Sequence, residues 1–595
     1  MNELRRTHTC GEISTADVGR TVTLNGWVDS RRDHGGLVFV DLRDRYGITQ
    51  TVVEHEGEVL EVAGSLRSED VVAVVGTVRE RPPEMVNPDR VTGGIEVVIE
   101  RVEVLNRCAV LPFQLDEAEQ AGDELKFKHR YLHLRTPHMQ RNLRMRHLAV
   151  QAAREHLSDE GFLEVETPLL IRTTPEGARD YVVPSRVHPN SFYALPQSPQ
   201  LYKQTLMISG VDRYFQLARC LRDEDLRADR QPEFTQIDLE MSFAGEEDVF
   251  ELVEGMVRNV VERTRGVEVD TPFQRLSYDD AMDNFGSDKP DLRFDLELVD
   301  VSDLAVRGEF GVFRSVIDGG GVVKAVLARQ QGGASRKQIG ELEEIAKRYG
   351  AKGMAWLKFT DEGISGSFAK FFEDAVLQEF ADRLSARPGD LMLFVADRRD
   401  TANVALGQLR LEIGRRLGYT DSDELRFAWV HRFPLFEQND DGSWTAMHHM
   451  FTMPDAEHLD SMEHDPGKVY ATLYDLVCNG VELGSGSVRI HRKDVQERVL
   501  RICGIGEEEA ESKFGWFLRA LEYGAPPHAG IALGLDRFVT ILVGGTSIRD
   551  VIAFPKTTTA TNPLDGAPST VSAAQLEELH LQLVVPEPEE PEDAD

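Results

Sequence analysis

The sequence predicts an α+β protein of several domains, because stretches of it differ in periodicity and composition. Residues 1–108 carry five short segments of alternating apolar and polar residues, which is typical of a small barrel. Helical and extended segments alternate in residues 141–289 and again in 425–560. Residues 290–424 contain glycine clusters and amphipathic helices, which indicates an inserted domain. A length of 595 residues fits such a division.

Composition excludes several classes of protein. No run of about 20 apolar residues is present, so we expect no membrane span. The first twelve residues lack an apolar signal segment, and the five cysteines form no C-x-x-C pair. These features predict a cytoplasmic protein without structural zinc. The net charge of -35 argues against nucleic acid, but only 14 of the 67 basic residues are lysines, and arginine is the better phosphate ligand.

The first half of the barrel contains a basic, glycine-rich turn, Ser30–Gly36, between the aromatic residues Trp27 and Phe39. Barrels of this kind grip single-stranded nucleic acid with cations and a stacking aromatic ring. Phe39 as an ordinary core residue is the alternative. The strands are predicted at residues 21–28, 36–44, 48–53, 71–78 and 95–105.

Residues 109–140 are predicted to be a linker, and its basic run Leu125–Arg135 is a candidate for backbone phosphate contacts. A helical period begins at Arg141 and ends near Gly161, and a strand over residues 162–167 is stopped by Pro168. Further strands are expected at residues 192–195, 214–221 and 234–243, followed by a helix over about 246–264.

The segment Arg222–Phe234 contains many arginines and carboxylates and lies between two apolar strands. Guanidinium groups bind phosphate oxygens in a planar fork, and neighbouring carboxylates orient them. The segment therefore indicates a site for a polyanion and a metal. A salt-bridged surface hairpin is the alternative that composition leaves open.

Three segments in order resemble the signature motifs of class II aminoacyl-tRNA synthetases: the helix and strand that end at Pro168, Arg222-x-Glu224, and Gly530–Arg537 before an apolar helix. Five further segments are similar to those of bacterial aspartyl-tRNA synthetases: Thr174–Asp180, Gln197–Gln204, Arg222–Asp238, Met447–His449 and Gly524–His528. The resemblance covers residues 5–575.

The resemblance implies a domain order. It comprises an OB-fold anticodon-binding domain (1–108), a hinge (109–140), a class II antiparallel-sheet catalytic domain in two parts (141–289 and 425–560), an inserted α+β domain of the bacterial GAD type (290–424), and a C-terminal extension (561–595) with an acidic, disordered tail.

The activity implied by the resemblance is that of an aspartate–tRNA ligase. L-Aspartate attacks the α-phosphate of ATP, pyrophosphate leaves, and the aspartyl group passes to the 3′ end of tRNA(Asp). Mg²⁺ assists, and the protein is expected to be a cytoplasmic homodimer whose subunits meet at the helix and strand before Pro168.

The resemblance also implies the residues of the site. The catalytic residues are Arg222, Glu224 and Arg537. Aspartate is bound by Glu176, Gln200, Lys203, Arg222, Asp238, His448 and Arg489. ATP is bound by Arg222, Asp223, Glu224, Gln231, Glu482, Gly534, Leu535, Asp536 and Arg537, and Mg²⁺ by Asp475 and Glu482.

The anticodon is expected to stack on Phe39 and to meet Arg32, Gln50 and Glu96. His34 matches the relaxed members of the family that charge both tRNA(Asp) and tRNA(Asn), whereas Glu84 departs from the glycine often found at the second discriminating position. A strictly discriminating enzyme is the alternative.

The chain also departs from the family at Arg432, Met450 and Ser485, where Asp, Pro and Gly are usual. An asparaginyl- or lysyl-tRNA synthetase and a non-catalytic tRNA-binding paralogue are the competing interpretations. The presence of both Lys203 and Arg489 argues against the first, and the presence of all the catalytic residues argues against the second.

Overall fold

The computed structural model describes residues 4–174, 177–420 and 423–584. They form two compact units. The first ends at Arg141 and takes in Asn562–Gly566, and the second begins at Asn142. None of the helices in these described ranges is long and apolar enough to traverse a membrane. The acidic tail predicted at residues 586–595 lies outside the described residues.

The first unit contains a closed five-stranded barrel with the strand order β1-β2-β3-β5-β4. Alternate residues of its strands, such as Leu24, Val40 and Val74, fill the interior. Gly35 and Gly36 link β1 to β2 with φ values of 64° and 98°, which glycine adopts without strain. The elements are β1 (Thr21–His34), β2 (Leu37–Arg43), β3 (Ile48–Val53), α1 (Glu58–Gly64), β4 (Val71–Glu80) and β5 (Ile95–Asn106).

The segment predicted as a linker contains two short helices, α2 (Asp123–Lys128) and α3 (Arg130–His133). Phe127 and Leu132 are buried, so part of the segment packs as a folded element rather than as an extended connection. Its basic residues obscure this apolar spacing in the sequence.

The second unit opens with the long helix and the strands that carry the charged segment. Its elements are α4 (Pro137–Asp159, which begins in the first unit), β6 (Leu163–Glu164), β7 (Val182–Pro184), β8 (Phe192–Ala194), α5 (Gln200–Ile208), β9 (Arg213–Leu221), β10 (Glu233–Ser242), α6 (Glu246–Arg265), β11 (Gln274–Ser277) and α7 (Tyr278–Phe285).

A separate five-stranded sheet, ordered β12-β13-β16-β14-β15, follows between residues 299 and 397. Apolar clusters cover both of its faces, which explains the buried β13 and β16. The elements are β12 (Val299–Asp300), α8 (Ser302–Ala305), α9 (Gly311–Asp318), β13 (Val322–Ala328), α10 (Arg336–Arg348), β14 (Ala355–Thr360), β15 (Gly363–Gly366), α11 (Asp374–Arg383), β16 (Leu391–Asp397) and α12 (Arg399–Arg416).

The chain then returns to the first sheet of this unit and completes it. The remaining elements are β17 (Phe427–His431), β18 (Phe436–Gln438), β19 (Trp444–Ala446), β20 (Leu473–Cys478), β21 (Val481–Val488), α13 (Lys493–Ile502), α14 (Glu507–Leu521), β22 (His528–Gly534), α15 (Leu535–Leu542) and α16 (Ala573–Glu578).

The completed sheet has eight strands in the order β11-β17-β20-β21-β22-β10-β9-β6. Its central pairs are antiparallel, and only the two edge strands pair in parallel. Helix α6 covers one face, where Val253 and Val257 join Ile237 and Leu239 in the core. The opposite face of β10, β21 and β22 is left for polar side chains.

Strand β6 is shorter than the sequence indicates. Strand β6 is the sheet edge, where Leu163 and Glu164 pair with β9 and the N–H of Val165 donates to Phe215 O at 3.1 Å. Beyond it, the Gln216 side chain accepts hydrogen bonds from the backbone and hydroxyl of Thr167, at 3.2 and 3.0 Å. A side chain thus replaces the strand partner there.

Candidate active site

The charged segment Arg222–Phe234 links β9 to β10 at one end of the eight-stranded sheet. The backbone N–H of Arg222 donates to Pro232 O at 2.9 Å, which closes the neck of the loop. The Arg222 guanidinium lies 5.1 Å from the centre of the Phe234 ring, and its buried Nε has no hydrogen-bond partner among the described residues. Arg230 donates to Glu224 at 3.0 Å. The loop is therefore ordered by its own charges, and one donor of Arg222 remains available.

Arg537 lies in the first turn of α15 and faces this loop. It donates to Asp229 Oδ2 at 3.3 Å and to the backbone oxygen of Glu482 at 3.2 Å. Gly534, which precedes the helix, pairs with Gln236 of β10. The second and third sequence motifs therefore meet at the same end of the sheet.

Two residues predicted to bind ATP have side chains occupied by structural bonds. Gln231 exchanges a reciprocal pair of hydrogen bonds with the backbone of Lys556, at 2.7 and 3.1 Å. Asp536 is buried, accepts from the N–H of Thr235 at 2.8 Å and is paired with Arg146. Through these side chains both residues fix the frame of the site.

The predicted aspartate pocket lies on the polar face of β10. Lys203 of α5 is buried and donates to Asp238 Oδ2 at 2.8 Å. The other oxygen of Asp238, Oδ1, is buried without a partner among the described residues, and so is Nε2 of Gln200. Burial raises the pKa of Asp238, and Lys203 opposes the rise. Glu176 lies outside the described residues.

Glu240 is a buried residue that the sequence interpretation missed. Its carboxylate binds Arg489 through Nε at 2.8 Å and Nη2 at 3.1 Å, and it lies 3.3 Å from Lys203 Nζ. Burial raises the pKa of Glu240, but the charges of Arg489 and Lys203 outweigh burial and hold the pKa below its usual value. Glu240 follows Asp238 by two residues in a strand, so both side chains lie on the same face of the sheet. This spacing could have identified Glu240 from the sequence.

The two adjacent histidines face different groups. His448 Nδ1 lies 3.3 Å from Ser485 Oγ, with its ring edge-on to Phe433 at 5.0 Å. His449 Nε2 lies 2.9 Å from Nη1 of Arg489. His448, which is predicted to bind the substrate, thus lies beside β21. His449 is the histidine that contacts Arg489, which is predicted to bind the side-chain carboxylate of aspartate.

Asp475 and Glu482 lie on the adjacent antiparallel strands β20 and β21. Asp475 is buried, and its Oδ1 has no hydrogen-bond partner among the described residues. Desolvation and the neighbouring charge of Glu482 raise the pKa of Asp475 well above its usual value. Two close carboxylates with an unpaired buried oxygen fit a hard cation such as Mg²⁺.

Within the first unit, three of the four predicted anticodon residues form one hydrogen-bonded chain on the barrel. Gln50 accepts from Arg32 at 3.3 Å and donates to Glu96 at 2.9 Å. Arg81, which was not predicted, also donates to Gln50, at 3.0 Å. Phe39 lies opposite Arg32 in the strand register and is half-buried, unlike its buried neighbour Val38.

The two predicted discriminating residues are both exposed. His34 ends β1, and its ring centre lies 6.0 Å from that of Phe39 in an edge-on arrangement. Glu84 lies in a short helical turn between β4 and β5.

Arg432 has a structural explanation. Its guanidinium pairs with Asp455 at 3.1 Å and with Glu457, and it lies 5.1 Å from the centre of the Tyr470 ring. Asp455, Glu457 and His458 could otherwise form a cation site, because their ligand atoms lie within 4.8 Å of one another. Arg432 supplies a positive charge there instead.

Comparisons with known proteins agree with this arrangement. Residues 122–558 match the family of tRNA synthetases class II (D, K and N), and residues 22–105 match the OB-fold nucleic acid binding domain. An asparaginyl-tRNA synthetase from Pyrococcus horikoshii has a TM-score of 0.59 and 22% identity, covering 92% of this chain and 98% of its own. The fold and the two arginine motifs define a class II aminoacyl-tRNA synthetase.

Curated relatives narrow the family further. An aspartate–tRNA(Asp/Asn) ligase of Desulfatibacillum aliphaticivorans is 51% identical over 98% of both chains. An aspartate–tRNA ligase of Geobacillus kaustophilus is 52% identical over 98% of this chain and 100% of its own. This chain belongs to the family of bacterial-type aspartyl-tRNA synthetases. The fold class predicted from the sequence is confirmed.

Proposed function

We propose that the protein activates L-aspartate with ATP to give aspartyl-adenylate and pyrophosphate, and then transfers the aspartyl group to the 3′ end of tRNA(Asp) with release of AMP. One observation supports this most directly. Buried polar atoms that lack hydrogen-bond partners among the described residues occur in several parts of the chain, and four of them belong to Gln200, Arg222, Asp238 and Asp475. Such atoms are costly unless a ligand satisfies them. All four belong to residues predicted to bind aspartate, ATP or metal.

The proposed roles follow from charge. Aspartate and ATP are both anions, so their reaction needs fixed positive charge and alignment. Arg222 would hold the α-phosphate and the substrate carboxylate, and Arg537 the γ-phosphate. The free oxygen of Asp238 and the amide of Gln200 would bind the substrate ammonium and its neighbours, with Glu176 as a further predicted ligand. His448, which precedes His449, would cover the bound amino acid.

Lys203 and Arg489 would receive the side-chain carboxylate of aspartate. A neutral amide in the same place would leave buried cations with weaker partners, which disfavours asparagine.

Asp475 and Glu482 would hold Mg²⁺, which supplies positive charge beside the triphosphate when it is bound. Glu224 would accept hydrogen bonds from adenine, with Asp223, Gln231 and the turn Gly534–Arg537 forming the rest of the nucleotide site.

We infer that the tRNA range includes tRNA(Asn). Relatives of similar identity are named both as Asp/Asn ligases and as aspartate ligases, so identity alone does not decide the range. The inference is supported by His34, whose exposed ring stands beside Phe39 at the proposed anticodon surface. Arg32, Gln50 and Glu96 would meet the bases there.

We also propose a cytoplasmic homodimer. Leu163 in β6, and Leu169 and Leu170 just after Pro168, are at least half exposed, and a second copy would cover them.

The first experiment is ATP–pyrophosphate exchange by the purified protein with aspartate, asparagine or lysine. Exchange with aspartate alone is the expected result, and exchange driven by another amino acid would refute the assignment. The second is aminoacylation of tRNA(Asp) and tRNA(Asn) transcripts with aspartate. Measurable Asp-tRNA(Asn) is expected, and its absence would leave a strictly discriminating enzyme.

A further inference from the structure

The guanidinium of Arg489 has no donor left for a substrate. Nε and Nη2 bind Glu240, and Nη2 also reaches the backbone oxygen of Gly530 at 3.3 Å. Nη1 binds Ser487 Oγ at 2.8 Å and His449 Nε2 at 2.9 Å. An arginine side chain carries five N–H groups, so all five are occupied. A substrate carboxylate can therefore bind Arg489 only if a present partner leaves.

Three of the four partners are held in place. Glu240 is a buried carboxylate paired with two cations, and removing it would leave uncompensated charge. Gly530 lies in β22 between two strands, and an added Cβ there would stand 2.1 Å from Glu240. Ser487 lies buried in β21, where its hydroxyl also bonds Thr452 at 3.2 Å.

His449 differs from these partners in two ways. It lies outside the helices and strands, between β19 and β20. Desolvation and the charge of Arg489 hold the pKa of its imidazole well below the usual value, so the ring is neutral and accepts through Nε2. A neutral ring that accepts through Nε2 carries its proton on Nδ1, which lies 3.4 Å from the Thr452 hydroxyl, its acceptor, and 3.2 Å from the Phe451 nitrogen.

We propose that His449 is a specificity-determining placeholder on Arg489, exchanged for the side-chain carboxylate of aspartate while Glu240 fixes the guanidinium. This rests on the proposed aspartate activation. The exchange replaces a neutral acceptor with an anionic one, and charge-assisted bonds are about twice as strong as neutral ones. Asparagine would replace one neutral acceptor with another and gain little. The occupied guanidinium thus selects against asparagine before chemistry begins.

The test compares His449→Ala with His449→Gln in ATP–pyrophosphate exchange, measuring kcat/KM for aspartate and for asparagine. The alanine variant leaves an Arg489 N–H open to the amide oxygen of asparagine, so the aspartate preference should fall at least tenfold. The glutamine variant keeps an acceptor within reach of Arg489 and should stay within about threefold of wild type. The KM for ATP should not change in either.

His188→Asn, an exposed histidine of the β7–β8 loop, is the matched control. An unchanged aspartate preference in His449→Ala, or an equal loss in both variants, would overturn the placeholder role. Wild-type protein that shows no aspartate-dependent exchange would instead overturn the proposed function. Thermal unfolding of each variant separates a lost fold from a lost preference.

The variant Glu240→Gln tests independently whether Glu240 fixes the guanidinium of Arg489. Its loss of charge frees the guanidinium to rotate, so the KM for aspartate should rise at least tenfold with the KM for ATP unchanged. Parallel increases in both KM values would contradict a role confined to the amino-acid pocket.

Discussion

Arg537 donates a hydrogen bond to Asp229 at 3.3 Å, although the two residues stand 308 positions apart. Asp229 belongs to the charged loop that begins at Arg222, so this contact joins that loop to the first turn of α15. A carboxylate occupies the guanidinium that is proposed to take the γ-phosphate.

Arg537→Ala should lower the rate of ATP–pyrophosphate exchange by about 10²- to 10³-fold, because a preorganised cation is lost where phosphate charge develops. The KM for aspartate should change little. Arg519→Ala, which removes an exposed arginine paired with Glu511, is the control. Full exchange activity in Arg537→Ala would remove this residue from the proposed nucleotide site.

Asp475→Asn should raise the Mg²⁺ concentration needed for half-maximal exchange by about tenfold or more. The amide keeps the shape of the side chain but loses the charge that a hard cation prefers. Titration of exchange activity with Mg²⁺ measures the change, and EDTA should abolish activity in the wild type. Asp460→Asn, at an exposed position, should leave the titration unchanged.

His34→Leu should reduce aspartylation of tRNA(Asn) relative to tRNA(Asp) by about tenfold, equivalent to ~1.4 kcal/mol. Leucine loses the polar ring beside Phe39. Aminoacylation of both transcripts gives the ratio, with exposed His55→Leu as the control in the same unit. An identical ratio in the two variants would show that His34 does not read the differing base.

Arg432→Asp should destabilise the protein by about 1 kcal/mol, the range of exposed ion pairs, because it places a third acid beside Asp455 and Glu457. Chemical unfolding measures the loss, and pyrophosphate exchange at low temperature should be retained. Arg519→Asp faces a single carboxylate and should cost less. Greater stability of Arg432→Asp would contradict the pairing.

Tyr470 should contribute to loss of stability at alkaline pH. Its hydroxyl donates to Asp279 at 2.6 Å, and this bond, with burial, raises the pKa of Tyr470 to about 12. The folded state therefore keeps a proton that the unfolded state loses near pH 10. Stability from this bond is complete below pH 10 and falls as pH rises toward 12. Tyr470→Phe should flatten that fall in unfolding measurements between pH 9 and 12.

The sequence predicts the order of elements well where periodicity is strong. The strands around the charged loop and helix α6 are displaced by one or two residues at most. The sequence predicts the elements less well where tertiary contacts determine their bounds. At the end of the strand predicted over residues 162–167, a glutamine side chain replaces strand pairing, and α2 lies in a segment whose basic residues mask its apolar contacts.

The candidate site could also be predicted only in part from the sequence. Residue types predict which side chains carry charge, but not how their hydrogen bonds are distributed. The saturation of Arg489, the structural use of Gln231 and the role of Glu240 all depend on strand register and on loops far apart in sequence. The pairing of Arg432 could not be predicted from neighbouring residues, because both carboxylates that accept its hydrogen bonds lie more than twenty positions away.

The reciprocal bond between Gln231 and the backbone of Lys556 has a consequence for synthesis on the ribosome. The charged loop Arg222–Phe234 is made first, yet the backbone that fixes its Gln231 emerges 325 residues later. Nascent chains in which Lys556 has not yet been synthesised would contain every cation of the loop but would lack the hydrogen bonds between Gln231 and Lys556. We therefore expect the proposed nucleotide site to become fully ordered only near the end of translation.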